Sequence, residues 1–294
     1  MADKPQFSVV IPTYNNWASL MECLRALGSQ SAGRTSFEII LVNDGGKDDV
    51  PENLDLLGHQ LSIKYLSQNH RGPAAARNLG IKRATGSIVL LLDDDSLPTE
   101  DWLGTTTEAW KRFPDFDGIG GCTLSLPTDR LLCRVNTDIF NWYVRKYSFG
   151  DYCTFLSTHN AGYKKDILAK VGLFDERFKG ASGEDRDLNI KILKAGGKLR
   201  LDEKILVYHD RDLHFRSFLR KFYNYGRAAR KLSLRYPGLK RLSFGDYVHF
   251  YKSILKKYRK FAQKAAAFAL LTLSQLSTLW GYHLAALPRK GGSP

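Results

Sequence analysis

Ser87–Ser96 reads SIVLLLDDDS, an apolar run that ends abruptly in three adjacent carboxylates. Continuous β-branched and leucine residues, without polar alternation, mark a strand covered on both faces, as in a parallel sheet. Two earlier runs match it. Phe7–Pro12 (FSVVIP) opens into the polar turn TYNN, and Glu38–Val42 (EIILV) closes on Asn43-Asp44-Gly45-Gly46. Between the runs lie helical patterns. Trp17, Leu20, Met21, Leu24 and Leu27 recur with a period near 3.6, and Ala74–Ala84 is rich in helix formers. This alternation predicts right-handed crossovers in an open, mostly parallel α/β sheet flanked by helices. Ligands of such sheets bind beyond the carboxyl ends of the strands. All three runs end there in polar or acidic side chains.

Working outward, Trp102–Phe113 predicts a helix, Gly118–Leu126 a strand and Lys164–Val171 a helix, while Val135–Tyr147 is ambiguous. Arg186–Lys194 is a strong helix stopped by Gly196-Gly197, and Lys204–Tyr208 is a strand ending at His209. From about Leu213 the chain reads as helical and basic. There is no internal repeat and no low-complexity segment.

The chain has 294 residues, of which 43% are hydrophobic and 25% charged, so disordered and fibrous classes are excluded. Four cysteines form no CxxC pair, which speaks against a disulfide framework or a cysteine zinc site. The first residues, MADKPQFSVV, lack the pattern of a secretory signal. The net charge of +14 is concentrated at one end. Residues 200–294 hold 20 Lys and Arg against 5 Asp and Glu, whereas the rest hold 24 against 25. Such a tail points to an anionic partner, a membrane surface or nucleic acid.

Three adjacent carboxylates at a strand end repel one another unless a counter-charge is present. In an extended segment Asp93 and Asp95 point to one side and Asp94 to the other, so one side can serve a metal and the other a ligand hydroxyl. Hard oxygen ligands suit Mg2+ or Mn2+ bridging a diphosphate; a solvated acidic turn is the competing reading. Asp44 can accept a hydrogen bond from a base N–H or form an Asx turn. Arg77 can steady phosphate oxygens, or pair with Asp93 or Glu38 for structure alone. Asp185 can be a helix N-cap or a general base. His209 can be a metal ligand, a phosphate donor or a packed histidine.

Taken together, VVIPTYN, EIILVNDGG, GPAAARNLG, SIVLLLDDDS, HNAGYKKDILAKVGLFDERF and GEDRDL resemble, in order and spacing, the family 2 inverting glycosyltransferases that use nucleotide sugars. The resemblance covers Phe7 to about Asp210. It implies a GT-A fold, a Rossmann-like open sheet, over residues 1–212, with a nucleotide-binding half to about 96 and an acceptor-binding half from 97. A basic amphipathic helical region follows over 213–294. It implies a UDP- or dTDP-sugar donor, with Asp44 at the base beside Pro12, Thr13 and Tyr14, and Arg77 at the nucleotide or its phosphates. Asp93 and Asp94 fall at ribose or donor sugar, and Asn160 and Gly162 at the donor sugar and acceptor cleft. Mn2+ or Mg2+ falls to Asp95, with Asp93 and His209, and catalysis to Asp185 as base with Glu184 beside it. One departure is Asn43, where many relatives carry a first carboxylate in DDGS. The expected acceptor is a hydroxyl of a glycan or lipid-linked saccharide, in polysaccharide or glycoconjugate synthesis. The alternative is a non-catalytic nucleotide-sugar or nucleic-acid binder using the basic tail. The tail carries no nucleic-acid-binding motif, however, and that reading leaves the strand-end acids unexplained.

In the tail, Asp246–Lys264 places Tyr247, Phe250, Tyr251, Ile254, Leu255, Tyr258 and Phe261 on one helical stripe, with lysines and Arg259 elsewhere. This predicts a helix lying on an anionic surface, against the plainer reading of a helix packed on the catalytic body. Ala265–Leu287 lacks formal charge over 23 positions, about 34 Å of helix. Its hydroxyl-rich side favours an interfacial or partner-buried helix over a spanning one. The expected location is therefore cytoplasmic, peripheral at the inner face of the cell membrane, with a homodimer through the C-terminal helices as a further expectation.

Overall fold

A computed structural model describes residues 5–31, 37–46, 61–125, 130–180, 182–209 and 213–284. The expected strand end Leu126, the boundary at 212 and the end of the uncharged stretch at Leu287 lie outside them. The chain divides into two compact units, one of residues 1–124 with 143–209, the other of residues 125–142 with 210–294.

The first unit is built on a sheet of ten described strands. β1 (Phe7–Thr13) lies between β2 (Phe37–Asn43) and β4 (Ile88–Leu91), parallel to both, and β3 (Ile63–Ser67) extends the parallel edge beyond β2. β9 (Ala161–Lys164) then runs antiparallel between β4 and β6 (Gly118–Leu124), and β10 (Leu199–Tyr208) pairs parallel with β6. Three short strands complete it: β5 (Leu97–Pro98) and β8 (Tyr152–Cys153) pair with β10, and β7 (Ser148–Phe149) pairs with β8.

The apolar runs work as the absence of alternation requires. Val9 and Ile11 face one core with Leu20, Leu24 and Leu27 of α1 (Trp17–Gly28) and with Trp102 and Leu103 of α3 (Trp102–Arg112). Val10 and Val42 face a second core with Ala74, Ala76 and Ile81 of α2 (Pro73–Arg83). Successive residues of β1 are thus buried on opposite faces. The small residues of GPAAARNLG let α2 lie close on the sheet. A Cβ on Gly80 would stand 2.4 Å from Val10 Cγ1. β3 escaped prediction because it is a half-exposed edge strand, burying little of IKYLS.

The ambiguous aromatic stretch is helix α4 (Leu131–Lys146). It is followed by α5 (Lys165–Lys170) and α6 (Glu184–Lys194). The first twelve residues of α4 lie in the second unit, which the sequence reading had begun only at 213. The reason is local: Asp138 accepts bonds from Lys257 and Tyr258, and Trp142 packs edge-on against Phe250 at 4.9 Å.

The second unit also holds α7 (Phe215–Arg235), α8 (Phe244–Leu255) and α9 (Phe261–Leu284). The single helix expected over 246–264 is broken. α8 starts at a Ser243–Asp246 capping box and stops after Leu255, Tyr258 turns inward to Asp138, and α9 begins anew. Phe250, Ile254 and Tyr258, assigned to a surface stripe, are buried. No helix among the described residues is long and apolar enough to cross a membrane.

Candidate active site

Strand register brings the acids together. β4 pairs with β1 at Val10–Leu91, so three residues further on Thr13 stands beside Asp94. Thr13 Oγ1 donates to Asp94 Oδ2 at 2.8 Å, and Asn16 Nδ2 to its Oδ1 at 2.9 Å. On the other side, Leu97 pairs with Tyr208, which carries His209 to the triplet. His209 Nε2 lies 3.1 Å from Asp95 Oδ1 and 3.8 Å from Asp93 Oδ2. His209 stacks flat on His159 with ring centroids 4.3 Å apart.

Ligand atoms of Asp93, His159 and His209 all fall within 4.8 Å of one another, as a divalent ion needs. His159, however, has Nε2 on Thr123 Oγ1 at 2.8 Å and Nδ1 on Ser157 Oγ at 3.0 Å. Both ring nitrogens therefore have protein partners. Asp95, at 39% side-chain exposure, and His209 present the more available atoms. Carboxylate oxygens with one imidazole fit Mn2+ or Mg2+ by donor chemistry.

Arg77 is buried beneath this cluster. Its Nη2 donates to Asp93 Oδ1 at 2.6 Å and its Nη1 to Glu184 Oε1 at 2.9 Å. Burial pushes the Asp93 carboxyl up, but Arg77, His209 and His159 outweigh it and hold the group below the usual range. Asp94 goes the other way. Burial, reinforced by the charge on Asp95, raises it to about 7. The guanidinium of Arg77 is engaged by two carboxylates, of which Asp93 is the partner that the pairing alternative names.

Glu184 and Asp185 open α6, whose N-cap is Gly183 in the left-handed region at φ 88°. Asp185 is therefore not the N-cap, although its Oδ1 accepts from Arg186 N at 2.6 Å. Burial, then the neighbouring Glu184, raises Asp185 to about 7. Glu184 is also raised, by burial, against the pull of Arg77, and its Oε2 has no partner. The chain Asp93–Arg77–Glu184–Asp185 thus links the acids after β4 to the start of α6.

Asp44 follows the carboxyl end of β2, and both of its carboxylate oxygens are engaged. Oδ1 accepts from Gln68 Nε2 at 2.6 Å and Arg71 N at 2.9 Å, and Oδ2 from Gly72 N at 2.8 Å. His70 Nδ1 lies 2.9 Å from Oδ2, and its ring packs at a 31° tilt against exposed Tyr14, centroids 4.2 Å apart. The backbone allows this only because position 45 is glycine. Its φ is 77°, and a Cβ there would meet His70 N at 2.4 Å. Gln68, His70, His159 and Thr123 were missed in the sequence. Their only signal was position next to motifs, which a single chain does not distinguish from filler.

Asn160 bonds the Trp102 indole, Cys122 O and Ile205 O, where the β6–β10 register shifts. Gly162 lies in β9, and a Cβ there would stand 2.6 Å from Leu90 Cδ2. Both are buried, with core atoms around them. Pro12, next to last in β1, is half-buried. All four cysteines are buried and none is in a disulfide.

A doubly wound sheet with antiparallel β9 inserted, and carboxylates beyond its strand ends, is the GT-A architecture. The mannosyltransferase PcManGT of Pyrobaculum calidifontis, solved with GDP-Man and Mn2+, superposes with a TM-score of 0.64 at 18% identity, over 97% of this chain and 86% of that one. TarS 1–349 of S. aureus, solved with UDP-GlcNAc, gives 0.55 at 16% identity, over 95% and 90%. The sequence profile of glycosyl transferase family 2 matches residues 8–172, and the chain belongs to this family. The pre-mycofactocin glycosyltransferase of Mycobacterium tuberculosis (strain H37Rv) is 29% identical over 244 residues, 78% of this chain. The chain spans 48% of that relative's length.

Proposed function

We propose that this glycosyltransferase moves a sugar, with inversion, from a UDP- or dTDP-sugar to a hydroxyl of a glycan or lipid-linked saccharide, at the inner face of a cell membrane. The carrying observation is the pairing of two sites through Arg77: acids and His209 suited to a cation, and a carboxylate raised to about 7 at the start of α6.

Asp93, Asp95 and His209 would hold Mn2+ or Mg2+, which supplies Lewis-acid stabilisation to a departing nucleoside diphosphate. Asp185 takes the acceptor hydroxyl proton as that oxygen bonds the anomeric carbon and the bond to phosphate breaks on the opposite face. A base near 7 is ionised at working pH yet still holds a proton well. Glu184, clamped by Arg77, fixes the first turn that carries Asp185, so Arg77 is a positioning residue. Tyr14 and His70 form an aromatic face beside Asp44 that suits a stacked base. PcManGT with GDP-Man and TarS with UDP-GlcNAc support nucleotide-sugar use on this fold.

The test is a panel of nucleotide sugars assayed for hydrolysis and thermal stabilisation with and without Mn2+. Asp185→Asn is expected to abolish turnover while UDP still binds. Full turnover by that variant, or no nucleotide sugar stabilising the wild type, overturns the reading.

A further inference from the structure

α9 is amphipathic with its faces reversed. Toward α7 it presents small and polar residues: Ala267, Ser274 and Gly281 are buried, with Leu271 the large exception. The two helices approach closely at reciprocal glycines. A Cβ on Gly226 would stand 1.9 Å from Thr278 O, and one on Gly281 the same distance from Tyr223 O.

The opposite side holds the large apolar residues. Phe261 is 86% exposed, Phe268 53%, Leu276 56%, Leu279 51% and Trp280 63%. At 100° per residue these lie on one face of a helix of 24 residues, about 36 Å long, with no Asp, Glu, Lys or Arg from Ala265 to Leu284. A contiguous apolar face of this kind is rare on a monomer in water. Tyr251 touches Phe268 at 5.3 Å and Tyr223 touches Trp280 at 5.5 Å, yet Phe268, Trp280 and the three residues beside them stay more than half exposed.

Charge selects what does. The described residues of this unit hold 17 Lys and Arg against two acids, Asp138 and Asp246. Both acids are engaged internally, by Lys257 with Tyr258 and by Ser243. Lys256, Arg259, Lys260 and Lys264 are exposed at the end where the apolar face begins. The described residues of this unit in a second copy would bring the same excess of positive charge, with both of their acids already engaged. A sheet of lipid phosphates neutralises the cations, while the acyl boundary takes the aromatic and leucine side chains.

We propose that the outward face of α9 docks in the plane of an anionic bilayer, with the Lys256–Lys264 cluster on the headgroup phosphates. Of the two segments that the sequence offers to a surface, 246–264 and 265–287, this places the contact on the second, and it holds whether or not the sugar-transfer reading stands.

The test is flotation of the full chain with vesicles of phosphatidylcholine alone or mixed with phosphatidylglycerol. Binding is expected to the anionic vesicles, at least tenfold weaker on pure phosphatidylcholine, and reduced at least tenfold by Leu276→Gln/Leu279→Gln and, separately, by Lys256→Glu/Lys260→Glu. Far-UV circular dichroism and nucleotide stabilisation should remain at wild-type levels in both variants, which separates lost docking from lost fold or lost donor binding. Equal binding by wild type and both variants, or none to anionic vesicles, overturns the proposal. So does a wild-type dimer in light scattering that Leu276→Gln/Leu279→Gln converts to monomer, since a second copy would then be the cover.

Discussion

At the residue scale, Asp185 is governed by its neighbours. Glu184 raises it, while the Arg186 backbone bond and the charges of Arg77 and Arg186 lower it, and burial decides the balance at about 7. A base works only when ionised, so kcat/KM should rise with pH and level off above about 7, with a tenfold fall per pH unit on the acid side. Glu184→Gln removes the like charge and should shift that limb to lower pH in a pH–rate profile. Arg77→Met leaves Asp93 and Glu184 buried without their cation. Such a loss costs on the order of 3–5 kcal/mol, visible as a fall in the denaturation midpoint. The acid triplet and Asp185 were legible because carboxylates in such places have few structural uses. The three buried partners of Asn160 were not legible, because an asparagine that satisfies them reads the same in sequence as one that binds sugar.

At the element scale, the strands of the parallel half were readable because burial on both faces leaves no polar residue in the run. The edge strand β3 and the antiparallel β9, whose pairing is set by non-local partners, were not. The tail shows the same limit. Periodicity announced an amphipathic helix, but Asp138, more than a hundred residues away, draws in Tyr258 and ends it. The α7–α9 contact makes a sharp prediction. Gly226→Val forces side-chain atoms into the Thr278 carbonyl, and overpacking of this kind costs roughly 1–3 kcal/mol or more. The variant should unfold at lower denaturant while UDP stabilisation, a property of the other unit, persists.

At the scale of the whole molecule, charge and chemistry are divided between the units. The acids lie on the sheet, and the basic excess lies on the C-terminal helices. Mn2+ with UDP should therefore raise the melting temperature, by about 2.7 kcal/mol of added stability at a hundredfold excess over Kd. A chelator should remove most of that gain. Asp95→Asn/His209→Ala should show the same loss without added chelator.

The amino-acid sequence alone determined the doubly wound half, the family and the acids at the strand ends, because those signals are local: an unbroken apolar run and the residues that follow it. Tertiary structure alone decided that Arg77 binds two carboxylates, that Asn160 and Gly162 are packed among core atoms, and which residues of α9 are buried. Each of those outcomes depends on which distant atoms fill the neighbouring space, and periodicity along a chain does not specify them.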